Sequence, residues 1–443
     1  MDELLAFCNA IKSKMNGESD FNISQARDIV RTINDFLYTN YGGIGETHAL
    51  GTSFEYFSDF HKYWEKHHKE ILDCRIDEEK CRAVADALHS VFVRTKGEAF
   101  CFAFDGCGLK HEDICRVRLF TANQDFRGTR SFPYFARIFQ DDYTIFDEEK
   151  IEADPNGFVS RLGISNLSQT DKRIKYAKNI ASFVLQNKCP PIDLIHIFGK
   201  DIYKLRNALI GCKGAGYGNK KADMFLRDMV VLGCWKKVKG FDMIDVASDV
   251  NTIKVALRTG IIKTEIPLLS SFLDIFCHQY SYIDEMNAMA WRRVWEIWKA
   301  VYPKESIPSP CLIDYFVYRV VGKQFCKEIL YEFECETEHH RFKWHSGRNQ
   351  TCQLCYKHGK KSVKAKVVGR KLPCEDSEGS ISILNTDYVS SLPEEQKFDS
   401  CPFVDICGNN KKLMPPKSIS IMGQTGWTSA YAKQGEGGGG LMS

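Results

Sequence analysis

At 443 residues, with 44% hydrophobic and 26% charged side chains, the chain has the composition of a globular protein with two or three domains and a sizeable core. A net charge of +3 is too small to mark the whole molecule as a binder of nucleic acid or membrane, so any such surface must be local. No apolar run reaches membrane-spanning length, and the opening MDELLAFCNAIKSK lacks the basic segment and long apolar run of a signal peptide. The expectation is a cytoplasmic protein with no membrane partner. The 18 cysteines are then expected as metal ligands or packed thiols rather than disulfides, with Cys8, Cys74, Cys81, Cys101 and Cys189 in the packed class.

Taken in order, the first 100 residues read as mostly helical. SQARDIVRTINDFLYTN places Ala26, Ile29, Val30, Ile33 and Leu37 on one face behind a potential N-cap at Ser24. Residues 98–170 read as irregular and aromatic-rich. The segment RSFPYFARIF offers Phe132, Tyr134 and Phe135, which fit a core better than a base-stacking platform. SQTDKRIKYAKNIASFVLQN is a helix with Ile174, Ala177, Ile180, Ala181 and Val184 inward. NAMAWRRVWEIWKAVYP carries Trp291, Trp295 and Trp298 at helical spacing, the pattern of a core. Near residue 334 the composition turns rich in cysteine, histidine, lysine and glycine. Boundaries are therefore expected to give an N-terminal region 1–167, a helical domain 168–333 and a metal-binding module 334–443 with a Gly-rich tail.

The stretch CKGAGYGNKKADMFLRDMV, residues 212–230, sets Gly214, Gly216 and Gly218 before Lys220 and Lys221 and the helical face Ala222, Phe225, Leu226, Met229. A backbone without side chains admits an anion closely, and the N–H groups opening the next helix point at it. A phosphate suits this turn. A helix, DIYKLRNALIG, precedes it, so the unit is helix, hairpin, helix and not the strand-loop-helix of a nucleotide P-loop.

GYGNKKADMFLRDM resembles the second half of the helix-hairpin-helix of the DNA glycosylase superfamily that includes endonuclease III and the 8-oxoguanine glycosylases. Downstream, SDVNTIKVALRTG is similar to that family's aspartate-bearing helix start, with Asn251 where histidine is common and with LGCWKKVKGFD lengthening the interval. The resemblance covers about residues 168–262 and implies a mainly α fold of glycosylase-type helical domains. It also implies Lys220 as nucleophile, Asp249 as catalytic carboxylate, and double-stranded DNA with a flipped-out base as partner, bound by a monomer. Gly214, Gly216, Gly218 and Lys221 are the implied DNA-backbone contacts. A second register, Gly214-Ala215-Gly216, leaves open which lysine reacts. ADMFLRD is closest to the 8-oxoguanine branch, which suggests an oxidised purine. The long flanking regions suggest instead a pocket enlarged for a bulky hypermodified phage base, in a defence role. A non-catalytic hairpin protein that binds DNA or RNA is the competing expectation.

In the last region, Cys352 and Cys355 form C-x-x-C, a knuckle that points two thiolates at one ion. Cys401 and Cys407 form C-x₅-C, which resembles the closing half of the iron-sulfur loop of the endonuclease III branch. These four are expected as a Cys₄ site for zinc or a [4Fe–4S] cluster, while Cys335 with His340 or His345 and the C-x-x-C pair is the rival set. KHGKKSVKAKVVGRK carries seven Lys or Arg and no acid, so Lys360 and Lys361 are further candidate backbone contacts.

Overall fold

A computed structural model of the chain describes residues 2–15, 21–40, 55–126, 130–167, 169–266, 279–326, 330–344, 350–352, 355, 363–371, 398 and 401–407. It is mainly helical. In chain order the elements are α1 (Asp2–Met15), α2 (Ile23–Asn40), α3 (Glu55–Leu72), β1 (Arg75–Ile76), α4 (Glu78–Thr95), α5 (His111–Ala122), α6 (Phe132–Asp141), α7 (Glu148–Ala153), α8 (Pro155–Arg161), α9 (Thr170–Asn187) and α10 (Leu194–Ile197). There follow α11 (Ile202–Gly211), α12 (Asn219–Val231), α13 (Val250–Thr259), β2 (Ile262–Lys263), α14 (Gln279–Val301), α15 (Ile313–Phe316), a π-helical run Val317–Phe325, β3 (Leu330–Cys335), β4 (Arg341–Trp344), β5 (Gln350–Thr351), β6 (Lys364–Lys371) and α16 (Val404–Cys407). No described helix is long and apolar enough to cross a membrane.

The chain forms two compact units that interleave along the sequence: Met1–Val91 with Val250–Trp298 and Phe316–Leu441, and Phe92–Asp249 with Lys299–Tyr315. The boundaries expected at 167 and 333 fall inside these units.

In the first unit, Ala26, Ile29, Val30 and Ile33 are buried on one face of α2, as their spacing requires. The cap lies two residues earlier than Ser24. The Asn22 side chain accepts from the Gln25 N–H at 2.9 Å while the Gln25 side chain accepts from the Asn22 N–H at 3.0 Å, a reciprocal capping box. Trp291, Trp295 and Trp298 are core residues. β1 and β2 pair antiparallel, Arg75 opposite Lys263 and Ile76 opposite Ile262. The remaining strands make one antiparallel sheet in the order β4-β3-β6-β5, with a bulge at Glu332/Phe333.

The second unit shows why residues 98–170 read as irregular. α7 and α8 are six and seven residues long, too short for a periodic apolar face. They form because aspartates cap them: Asp147 accepts from Glu149 N and Lys150 N at 3.1 Å, and Asp154 from Gly157 N at 2.8 Å. Phe120, Phe146 and Phe158 meet edge to face beneath them. In α9, Arg173 is the fully buried residue where Ile174 is expected and Ile174 is half-buried. The Arg173 guanidinium donates to the carbonyls of Gln124 at 2.9 Å and Phe126 at 2.8 Å and lies 4.0 Å from the Phe126 ring centre.

A chain of buried charges fixes α12. Asp228 accepts two bonds from Arg118 of α5, at 3.1 and 2.9 Å, and two from Arg227, at 3.2 and 3.0 Å. It also accepts from the Tyr315 hydroxyl at 2.6 Å, and Arg227 in turn pairs with Asp314. Burial alone would raise the Asp228 carboxyl, but the Arg227 and Arg118 charges hold it below the usual carboxylate range. Removing it leaves two guanidinium groups short of their counter-ion, so Asp228→Ala should lose about 3–5 kcal/mol of stability in urea unfolding; a loss within about 0.5 kcal/mol would contradict the network's role.

Candidate functional site

The hairpin runs from Cys212 to Gly218 between α11 and α12. Gly214 and Gly216 have φ of 77° and 76°, the left-handed region that glycine tolerates. Gly216 is also irreplaceable on space, since a Cβ there would sit 2.5 Å from the Tyr176 ring. Gly218 is different: its backbone is extended and it stands, exposed, as the N-cap of α12.

Three side chains clamp the loop. Asn179 donates to Lys213 O at 3.1 Å, Asn123 donates to Ala215 O at 3.0 Å, and the Tyr217 hydroxyl donates to Leu119 O at 2.5 Å. All these bonds engage carbonyls or a side chain of the loop. Among the described residues, the N–H groups of Gly214, Gly216, Tyr217 and Gly218 donate to no protein acceptor. A turn whose carbonyls are held and whose N–H groups are open can accept an anion.

The two lysines at the joint have separate places. Lys221 donates to Asn123 O at 2.7 Å, and its ammonium lies 4.5 Å from the Phe126 ring centre and 5.4 Å from that of Tyr176. With Arg173 it supplies two cations to the carbonyls at the C-terminal end of α5, where the helix dipole is negative. Burial pushes its amine down to about 8. Lys221, expected as a DNA contact, packs the hairpin against α5 and α9. Lys220 is half-buried and has no hydrogen-bond or ion-pair partner among the described residues. Asp249 is half-buried at the residue before α13.

Asp314 is the residue the sequence reading missed. It is 7% exposed, and one oxygen, Oδ2, is taken by Arg227. Burial pushes its carboxyl up to about 6 against the Arg227 charge. The signal was a lone acid inside the apolar run PCLIDYFVY.

In the first unit, Cys335, His340, Cys352 and Cys355 bring their ligand atoms within 4.8 Å of one another. Cys335 Sγ lies 3.3 Å from Cys355 Sγ, and His340 Nδ1 is 3.6 Å from both Cys352 Sγ and Cys355 Sγ. The sheet sets this up. Cys335 ends β3 and its N–H donates to His340 O at 2.9 Å, closing the turn into β4; Cys352 N–H donates to Val363 O at 2.8 Å, tying the end of β5 to the start of β6. The Cys355 N–H points at Cys352 Sγ at 3.5 Å, the backbone–sulfur contact of a metal knuckle. Although burial acts to raise it, hydrogen bonds from the backbone of Glu338 and Thr337 and the Thr337 hydroxyl bring the Cys335 thiol down to about 6. This constellation can hold a metal ion.

The side chains that converge are Cys335 and His340 with the C-x-x-C pair, a set that could hold a metal ion; of the expected Cys352, Cys355, Cys401 and Cys407, the last two are not in that cluster. Cys401 is buried elsewhere, beside Cys326 and Cys407 and near Arg258, where α16 packs against α13. Burial pushes its thiol up. His345, Lys360 and Lys361 lie outside the described residues. No family model, curated protein or solved structure matches this chain.

Two outcomes follow from this geometry. Metal analysis of the purified protein should find about one equivalent, lost in Cys352→Ser and in His340→Ala and retained in Cys401→Ser. Retention in the first two would exclude the assigned ligands. The second concerns Lys221, whose folded pKa of about 8 lies below the ordinary lysine value. Between pH 8 and about 10.4 the unfolded chain holds a proton that the folded chain has lost, so stability rises with pH there, by at most about 1.4 kcal/mol per unit. Below pH 8 both states are protonated and this dependence ends. Urea unfolding at several pH values should show that rise in the native protein and its absence in Lys221→Met.

Proposed function

We propose that this protein is a DNA glycosylase that cleaves the N-glycosidic bond of a modified or damaged base and can break the strand through a covalent lysine intermediate. The observation that supports the reading is the hairpin between two helices, its carbonyls clamped and the N–H groups of Gly214, Gly216, Tyr217 and Gly218 open to a phosphate, with Lys220 in the first turn of the helix that follows.

The hairpin holds the DNA backbone without regard to sequence, while the target base leaves the stack to reach Lys220 and Asp249. As the glycosidic bond lengthens, positive charge grows on the sugar and the Asp249 carboxylate stabilises it. The amine of Lys220 attacks C1′, the C1′–N bond breaks, and the base departs with the bonding pair and gains a proton. Loss of the sugar ring C–O bond and of the amine proton gives the Schiff base, from which β-elimination removes the 3′ phosphate. Lys220 and not Lys221 is the nucleophile in this scheme, because the Lys221 ammonium is engaged with Asn123 O and two aromatic rings.

The metal at Cys335, His340, Cys352 and Cys355 is read as zinc. A tetrahedral zinc ion with Zn–S of about 2.3 Å sets its thiolates about 3.8 Å apart, and three thiolates with one imidazole are an ordinary zinc set, whereas a [4Fe–4S] cluster usually takes four cysteines. Bound zinc supplies a structural crosslink there, and the four side chains would occupy all its positions.

Borohydride treatment of the protein with duplexes carrying 8-oxoguanine, uracil, an alkylated purine or glucosylated hydroxymethylcytosine tests the reading. One of these should give a trapped adduct that Lys220→Ala abolishes and Lys221→Ala does not. Asp249→Asn should lose at least about 100-fold in base release while holding DNA within a few-fold of native affinity. Undiminished release by Asp249→Asn would refute the glycosylase assignment. Tight DNA binding with no release from any duplex would leave a non-catalytic hairpin protein.

A further inference from the structure

Resting on that reading for the identity of its partner, we infer that α9 supplies the cations of the DNA-backbone surface: Lys175 contacts the phosphate held at the hairpin, and Lys172, Lys178 and Lys213 face the phosphates beside it. The geometry begins at Gly214. A Cβ added there would lie 2.8 Å from Lys175 Cε and 2.5 Å from Asn179 Nδ2. Gly214 thus lacks a side chain for a reason beyond its positive φ, because the Lys175 methylene chain already lies across it. The ammonium is one bond beyond Cε, so it stands at the Gly214 backbone, whose N–H is open. The helix is held in this register on the loop. Asn179, one turn further along α9, donates to Lys213 O at 3.1 Å, and the Tyr176 ring fills the place of a Cβ at Gly216. Lys175 is exposed and has no hydrogen-bond or ion-pair partner among the described residues.

The surface continues on both sides of that point. The exposed positions of α9 between 171 and 179 are Asp171, Lys172, Lys175 and Lys178, and Lys213 is exposed in the loop itself. Asp171 lies in the first turn of α9, where it offsets the helix dipole. From Ile202 to Ala222 the helix, hairpin and helix contain no acidic residue, so no carboxylate of that segment repels an anion. Lysines three residues apart rise about 4.5 Å from one to the next along the helix. A single phosphate meets one ammonium in such a row, whereas a strand with a charge about every 3.4 Å has an anion within reach of each. A polyanion is therefore the occupant that suits the row and the loop together, and the hairpin's N–H groups fix one of its phosphates in place.

Binding of a short unmodified DNA duplex across a salt series, followed by fluorescence anisotropy, tests this. Lys175→Met keeps the chain that crosses Gly214 and removes only the charge. Its logarithmic salt slope should be shallower than native by about 0.9, so that its loss of affinity shrinks about 3.5-fold between about 50 and 200 mM salt. Lys172→Met combined with Lys178→Met should lower the slope by about twice as much, and Lys175→Arg should keep it. Lys239→Met removes the same charge in the same unit at the far end of α11, where Lys239 O accepts from Ile202 N at 3.0 Å, and should leave the slope native. An unchanged slope in Lys175→Met, in protein of native melting temperature, overturns the inference, and so does an equal drop in Lys239→Met. If Lys175→Met melts early, the paired Lys172 and Lys178 variant decides by the same slope. Base release separates the inference from the glycosylase reading. Lys175→Met should release base within about twofold of the native rate at saturating DNA, because a phosphate contact serves the bound and transition states alike. The expected slopes with no base released from any duplex refute the glycosylase reading and leave the backbone surface standing; base release with an unchanged Lys175→Met slope does the reverse. Failure of the native protein to bind the duplex overturns both.

Discussion

Charges of alternating sign are drawn out of water where α12 meets α5 and α15: Arg118, whose side chain is 12% exposed, and the buried Asp228, Arg227 and Asp314. A lone buried ion of this kind costs far more than a folded domain's whole stability, so each must have its neighbour. That requirement is directional as well as energetic. Asp228 uses both oxygens, one toward Arg118 on α5 and one toward Arg227, and the guanidinium forks admit few orientations. α12 is thereby locked in rotation against α5 and against the residues around 314. Everything at the hairpin inherits this registration, because the hairpin is the N-terminal end of the same helix.

The consequence is a division of labour between adjacent lysines. Successive residues on a helix point about 100° apart. Once the Arg227 row is set, Lys221 must turn toward the end of α5, where the Asn123 carbonyl and the rings of Phe126 and Tyr176 receive it. Lys220, one residue earlier, leaves the helix about 100° away from that site and stays half-buried. The pair KK is a symmetric signal in sequence and an asymmetric one in space, and the asymmetry comes from charges six and seven residues further along the helix.

Much of the helical frame was legible because its periodicity is long: α2, α9 and the tryptophan helix α14 each show a buried face over many turns. The short helices α7 and α8 were not, since six or seven residues carry no period and only the aspartate caps announce them. Gly214 and Gly216 were legible as turn residues, because their positive φ is a demand on residue type. The packing of Lys221 against aromatic rings was not legible, because it depends on Phe126 and Tyr176, which are remote in sequence. Asp314 was overlooked for the same reason: nothing near it in the chain reveals that Arg227 lies 87 positions away and in contact.

The cysteines show where spacing informs and where it misleads. Cys352 and Cys355 are bound to face one another, as the knuckle closes within three residues. Their partners depend on which strands pair. β3 hydrogen-bonds to both β4 and β6, so the end of β3, with Cys335, and the turn into β4, with His340, are brought over the knuckle, whereas Cys401 follows a different helix into a different core. The small cluster under the sheet holds Phe333, Ala365 and three of the ligand cysteines, with Val363 against it. So little apolar surface cannot hold four short strands by itself. A three-cysteine, one-histidine set with its ligand atoms this close could close such a sheet around one structural metal ion.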